Sequence, residues 1–159
     1  MDWLTILTRG FWCGCAALGF GVLFNAPTRT LLPTWICGCV AGLIKFSGLS
    51  PAVGLSVIVS SFLASLGASS IGIPLCKWRN VPLIVIAIPS IIPLVPGAFA
   101  YRAMMGLMKL TRHVPQNYSN MIGDTIYNGV MALFIVVAIT LGLLIAVMVT
   151  GLRPLKGPA

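Results

Sequence analysis

Arg102 and Asp124 each sit close to or within apolar sequence, and an ionisable group at membrane depth is costly enough to need a partner or a function. Arg102 can hold a carboxylate through its planar guanidinium fork. Asp124 can carry a proton or serve as counter-ion to Arg102, and Asn128, one turn further on, extends the same polar face. Just before Arg102 the chain reads Ile88-Pro-Ser-Ile-Ile-Pro-Leu-Val-Pro-Gly-Ala-Phe-Ala-Tyr-Arg102. Proline has no N–H, so Pro89, Pro93 and Pro96 leave the carbonyls of Val85, Pro89 and Ile92 without helical donors. At about 100° per residue these carbonyls fall on one stripe. Pro96-Gly97 then breaks the segment. A second half-helix starting near Ala98 presents free N–H groups and a positive dipole end, with Arg102 about one turn further in. A broken helix whose end points at an anion is a recurring way to build a transporter's binding site. Pro96, Gly97 and Arg102 are therefore candidate substrate-binding residues.

The elements that position these residues are transmembrane helices. Of 159 residues, 58% are hydrophobic and 8% charged, and the mean hydropathy is +1.05; so few charges cannot coat a soluble domain. A span needs about 20 apolar residues, which predicts about five spans: Leu4 to Phe24, Leu31 to Phe46, Ala52 to Leu75, Pro82 to Lys109, and Asp124 to Thr150. The fourth would be about 42 Å long if straight. The predicted fold class is an all-α integral membrane protein whose fourth helix is broken near its midpoint, with residues 1–159 forming a single transmembrane domain without a soluble module. The third span is expected to stop at Pro74. Asp124 is expected in the first turn of the fifth helix, where the dipole favours a carboxylate. The connector Thr111 to Asn120 is polar, and His113 reads as a solvated loop residue. No internal repeat is evident. The first segment lacks a basic leader and a cleavage signal, so it is predicted to stay as a helix.

Ten basic residues face only two acidic ones, giving a net charge of +8. The bases are scattered singly between apolar segments, which is the pattern of membrane loops and not of a nucleic-acid face. With an odd number of spans, Arg29, Lys77, Arg79, Arg153 and Lys156 fall on the C-terminal side, against Lys45, Lys109 and Arg112 opposite, so the C-terminus is expected in the cytoplasm. Cys13-Gly14-Cys15 and Cys37-Gly38-Cys39 invite a metal reading. Residues two apart on a helix point about 200° away from each other, so these cysteines read as packing residues and no metal or other cofactor is expected. Small residues recur four apart at Gly10 and Gly14, Gly38 and Gly42, Ser56 and Ser60, Ser61 and Ser65, and Ala138 and Gly142, predicting close helix seams within the chain or between subunits of an oligomer. An intramembrane enzyme would need a nucleophile with its base, or a metal cluster. The general-base candidates are His113 and Asp124 and the sequence has no Glu, so an enzyme is not expected.

Two stretches carry a resemblance. Phe24-Asn-Ala-Pro-Thr-Arg29 after a Gly-rich first helix, and Ile92-Pro-Leu-Val-Pro-Gly-Ala-Phe-Ala-Tyr101 in the broken segment, resemble the small membrane subunit of the threonine/serine exporter family, split type. The resemblance implies a secondary exporter of the bacterial inner membrane that works with a larger complementary subunit. It implies small carboxylate-bearing substrates, either threonine and serine or a C4-dicarboxylate such as succinate. It adds Tyr101 to the substrate-binding set, and Asn25 and Arg29 to the polar network of Asp124 and Asn128. The competing expectation is a scaffold subunit that supports a partner's transport site and transports nothing itself.

Overall fold

The computed structural model describes residues 3–112 and 118–149. Among them every element is helical: α1 (Trp3–Leu23), α2 (Thr28–Gly48), α3 (Val57–Arg79), α4 (Leu83–Ile91), a 3₁₀ turn (Ile92–Leu94), α5 (Gly97–Arg112) and α6 (Tyr118–Val149). Helices α1, α2, α3 and α6 are each long and apolar enough to cross a membrane, and the bent pair of α4 and α5 is a fifth candidate if the two halves are counted as one span. This is the all-α membrane protein predicted above, with the break at Val95 and Pro96, which belong to neither half.

Several boundaries differ from the sequence expectation, each for a local reason. Helix α2 begins at Thr28, not Leu31. Pro27 stands before it with φ −53° and ψ 137°, and its carbonyl accepts both the N–H and the hydroxyl of Thr30, at 2.8 and 2.7 Å. Helix α3 begins at Val57, not Ala52, because residues after Ser50 form a turn in which Ser50 O accepts from Val53 N–H and Gly54 N–H. Ser56 then caps the helix by accepting the Val59 N–H at 3.4 Å. Helix α3 also runs through Pro74 to Arg79 instead of stopping there, as membrane helices can when neighbours cover the freed carbonyl. Helix α6 starts at Tyr118, so Asp124 lies beyond its first turn and the macrodipole explanation for that carboxylate fails. His113 lies outside the described residues.

The chain divides into two compact units, one of residues 1–94 with 138–159 and one of residues 95–137. In the first, α1 packs along α2, α2 along α3, and α4 with its 3₁₀ turn is enclosed by all three. Ile86 and Leu94 of this half-helix are completely buried. The α1/α2 seam is made of glycine. A Cβ at Gly38 would lie 2.5 Å from Ala17 Cβ, and one at Gly42 would lie 2.7 Å from Cys13 Cβ and 3.0 Å from Gly10 Cα. The glycines of the Cys-Gly-Cys triplets are thus contact points, and Cys13 and Cys39 fill the seam beside them, Cys39 Sγ packing on Gly14. Gly142 of α6 does the same against α3, where a Cβ would come 2.7 Å from Phe62 O. Within the first unit, Gly10, Gly14, Gly38, Gly42, Ser60, Ser65 and Gly142 of the predicted seams are therefore contacts inside one chain, whereas Ser56 is an exposed helix cap.

The same unit contains a repeat that residue identities conceal. Asn25 and Asn80 both adopt the left-handed conformation, with φ of 54° and 52°. Each closes a Schellman motif: Ala26 N–H donates to Gly21 O at 3.0 Å, and Val81 N–H to Cys76 O at 3.1 Å. Each is followed, after one residue, by the proline that precedes the next helix. Counting back from each asparagine, the buried positions of α1, namely Ile6, Gly10, Gly14, Ala17 and Gly21, correspond to Ser61, Ser65, Ser69, Gly72 and Cys76 of α3, all buried. The correspondence is one of cap and spacing, with small residues at four of the five pairs; Ser60, Ala64 and Ala68, also buried in α3, have no buried counterpart in α1. Because Ser stands for Gly, identity does not reveal it.

Replacing Gly14 by Leu forces a side chain into the Cys39 thiol and the Trp35 carbonyl, whereas a Cβ at Gly19 meets nothing within 4 Å. Thermal unfolding in detergent is expected to show Gly14→Leu destabilised by about 1–3 kcal/mol or more and Gly19→Leu close to wild type.

Candidate functional site

The second unit pairs α5 with the first part of α6. Gly106 lets them meet: a Cβ there would stand 2.9 Å from Thr125 Cβ and 3.0 Å from its Cγ2. The buried Thr125 hydroxyl donates to Met121 O at 2.7 Å, so it is satisfied within its own helix. Beside this contact opens a groove of about 640 Å³ lined by Tyr101, Arg102 and Lys109 of α5 and by Asp124, Tyr127 and Asn128 of α6. Two bases and one acid give it a net positive charge. Among the described residues no ion pair joins Arg102 or Lys109 to Asp124, so both cations keep their hydrogen-bonding capacity for another group. Asn128 Nδ2 donates to the Asp124 backbone carbonyl at 2.6 Å, which fixes the amide along the helix.

Four of the residues predicted from sequence, Tyr101, Arg102, Asp124 and Asn128, are therefore brought to one groove. The reason is periodic: Tyr101, Met105 and Lys109 lie four apart on α5, as do Asp124 and Asn128 on α6, so each set occupies one helical face. Lys109, expected from the sequence as a loop base at the end of the fourth span, also lines it, as does Tyr127; the i, i+4 spacing from Tyr101 through Met105 to Lys109 was the signal that places Lys109 on this face.

Pro96 and Gly97 sit at the break. The Gly97 N–H donates to Val95 O at 2.9 Å, and Phe99 and Ala100 N–H both donate to Pro96 O at 3.1 Å. The start of α5 is thus largely satisfied by its own backbone instead of presenting a set of free donors. It also starts one residue before the expected Ala98. Gly97 has open space around it, since a Cβ there meets nothing within 4 Å. Asn25 and Arg29 belong to the first unit and are exposed at the α1/α2 turn. The left-handed backbone of Asn25 gives that residue type a structural reason, because asparagine tolerates positive φ better than most side chains.

The polar bonds at the end of the first half-helix differ from the three carbonyls predicted. Ser90 donates to Ile86 O at 2.6 Å and to Thr34 O at 3.1 Å, tying α4 to α2. Lys45, read from sequence as a boundary base, donates from Nζ to Leu94 O at 2.7 Å. A helical side chain leans toward the helix N-terminus, so a lysine in the last turn of α2 can turn inward. There it meets the carbonyl end of the half-helix, where the dipole favours a cation.

A multi-pass helical bundle in which one span is interrupted, with unpaired charge beside the second half of that span, is the construction of a membrane transporter. The family model for Threonine/Serine exporter, ThrE, matches residues 9–149. The chain belongs to the threonine/serine exporter family, a family of transporters, and its role is membrane transport of that type. No solved structure matches it.

Asn25 supplies a test that separates cap from ligand. Asn25→Ala is expected to cost about 1–2 kcal/mol through the left-handed backbone, while Asn25→Gly keeps wild-type thermal stability and wild-type export. Loss of export by a fully stable Asn25→Gly would assign the side chain to the transport path.

Proposed function

We propose that the chain is the membrane subunit of a secondary exporter that moves small carboxylate-bearing metabolites out of the cell together with a larger complementary subunit. The observation that carries this reading is the convergence of Tyr101, Arg102, Asp124 and Asn128 on one groove. In that groove Arg102 receives the substrate carboxylate through its two-pronged guanidinium, with Lys109 adding positive potential and the Tyr101 hydroxyl and Asn128 amide completing the polar lining. Pro96 and Gly97 serve as the break that sets α5 and its face. Asp124 exchanges the coupling proton, while at the exposed α1/α2 turn Asn25 closes α1 and Arg29 anchors the turn at the headgroups. Threonine, serine and a C4-dicarboxylate such as succinate all present the carboxylate this groove suits, and the family favours the amino acids.

The proposed location is the bacterial inner membrane with the C-terminus in the cytoplasm. The inward turn of Lys45 supports that orientation. It removes one base from the opposite side of the loop count and leaves Arg29, Lys77 and Arg79 at the two asparagine turns.

Export of radiolabelled L-threonine, L-serine and succinate from proteoliposomes, with the chain alone and with the complementary subunit, tests the reading. Arg102→Gln is expected to lower flux roughly tenfold or more, the loss of a charge-assisted hydrogen bond, with assembly unchanged. Arg102→Lys should fall between, because lysine keeps the charge but not the fork. If both variants assemble and export at the wild-type rate, the chain is a scaffold subunit instead. Asp124→Asn is expected to abolish the dependence of export on an imposed pH gradient while leaving exchange flux measurable. Unchanged coupling in that variant would remove Asp124 from the proton path.

A further inference from the structure

The break in the fourth span is held from outside the span. Leu94 ends the 3₁₀ turn, and Val95 and Pro96 then leave the helical path. The Leu94 carbonyl therefore loses the N–H that a continued helix would supply from Ala98. The Lys45 ammonium takes its place, with Nζ donating to Leu94 O at 2.7 Å. Leu94 is completely buried, so solvent does not compete for this carbonyl. The same stretch of α2 is gripped by α1: a Cβ at Gly42 would lie 2.7 Å from Cys13 Cβ, and Cys13 is near enough to Lys45 to act on it electrostatically.

A tie between helices does not need a cation. Ser90 joins α4 to α2 through a neutral hydroxyl that donates to Thr34 O at 3.1 Å. Lys45 instead brings a positive charge into a unit whose described residues include no carboxylate. A second cation is close by, the Arg9 guanidinium lying 5.2 Å from the ring of Phe46, the residue after Lys45. Uncompensated charge on a membrane helix is costly and marks a functional position. What the ammonium adds over a hydroxyl is strength and reach. A hydrogen bond from a charged donor is roughly twice as strong as a neutral one, and the carbonyl end of a half-helix favours a cation. The four-carbon stem, starting in the last turn of α2, spans the gap to a neighbouring backbone. Leu94 is also the last residue of the first unit before the chain enters the second. Holding its carbonyl fixes the point from which the break proceeds.

We propose that Lys45 is a positioning residue for transport: its ammonium stands in for the missing helical N–H and clamps the end of the first half-helix, so that the break at Val95 and Pro96 starts from one fixed geometry in each cycle. Its role is to hold backbone and not to bind substrate. The proposal deepens the export reading, on which only its flux measurement rests.

Hydrogen exchange of the full chain in lipid nanodiscs, read by mass spectrometry in peptides spanning residues 90–101, tests the clamp. Lys45→Met keeps the length of the side chain but removes donor and charge. It is expected to speed exchange at the break roughly threefold or more, the loss of a charge-assisted hydrogen bond, while the α1/α2 seam around Gly14 and Gly38 keeps its wild-type rate. Lys45→Arg, which restores a charged donor, should return most of the protection. In proteoliposomes, threonine flux per inserted transporter should fall roughly threefold or more in Lys45→Met, with half-saturating threonine near the wild-type value, and recover in Lys45→Arg. Unaltered exchange at the break in Lys45→Met overturns the proposal, as does Lys45→Arg behaving like Lys45→Met. Faster exchange throughout α1, α2 and α3 also overturns it, making Lys45 a general packing residue. Local loss of protection with wild-type flux removes the positioning role. Absence of threonine flux from the wild type contradicts the export reading instead, and the exchange measurement then decides the clamp by itself.

Discussion

Lipid does not push apolar helices together, because a hydrocarbon tail solvates leucine as well as another leucine does. This chain is governed by that constraint. Its helices associate where side chains are absent or tiny, so that backbone meets backbone: Gly38 against Ala17 and Gly42 against Gly10 between α1 and α2, Gly142 against Phe62 O between α6 and α3, and Gly106 against Thr125 between α5 and α6. The large apolar side chains, such as Leu4, Trp12, Leu133 and Phe134, point outward and are exposed on the isolated chain. In a soluble protein that pattern would be inverted; in a membrane, lipid covers those faces.

The second consequence of a lipid solvent is that polar groups must be satisfied from within. Most here are. Thr34 bonds to Thr30 O, Ser90 joins α4 to α2, and Lys45 closes the carbonyl end of the half-helix at Leu94. Against that background the exceptions stand out. The hydroxyls of Ser60, Ser61 and Ser69 on α3 are buried without a partner, and Arg102, Lys109 and Asp124 line the groove between α5 and α6 without pairing with one another.

The sequence reading was strongest where physics leaves few alternatives. Apolar length gave the spans, and four consecutive features, Pro93, Pro96, Gly97 and a following charge, gave the break. The polar face of Arg102, Tyr101, Asp124 and Asn128 followed from turn spacing and from the family motifs. Helix ends were harder. Pro74 looked like a stop because proline lacks a donor, yet α3 passes through it; Asn80, which takes the left-handed cap, was the better stop signal. The direction of Lys45 was missed because a base near a span's end was assumed to reach for the headgroups, when the lean of helical side chains allowed the opposite. The pairing of α1 with α3 as repeats was hidden by the exchange of Gly for Ser, which preserves small size but not identity.

The central claim is that the substrate carboxylate is held by Arg102 in the groove between α5 and α6. Solid-state NMR dipolar recoupling between [1-¹³C]L-serine and arginine labelled with ¹⁵N in the guanidinium measures this contact directly. The account predicts a carboxyl carbon about 4 Å from guanidinium nitrogen, the spacing of a two-pronged Arg–carboxylate pair, and its disappearance in Arg102→Lys. Recoupling that persists unchanged in Arg102→Lys, or bound serine with no arginine contact at all, would contradict it.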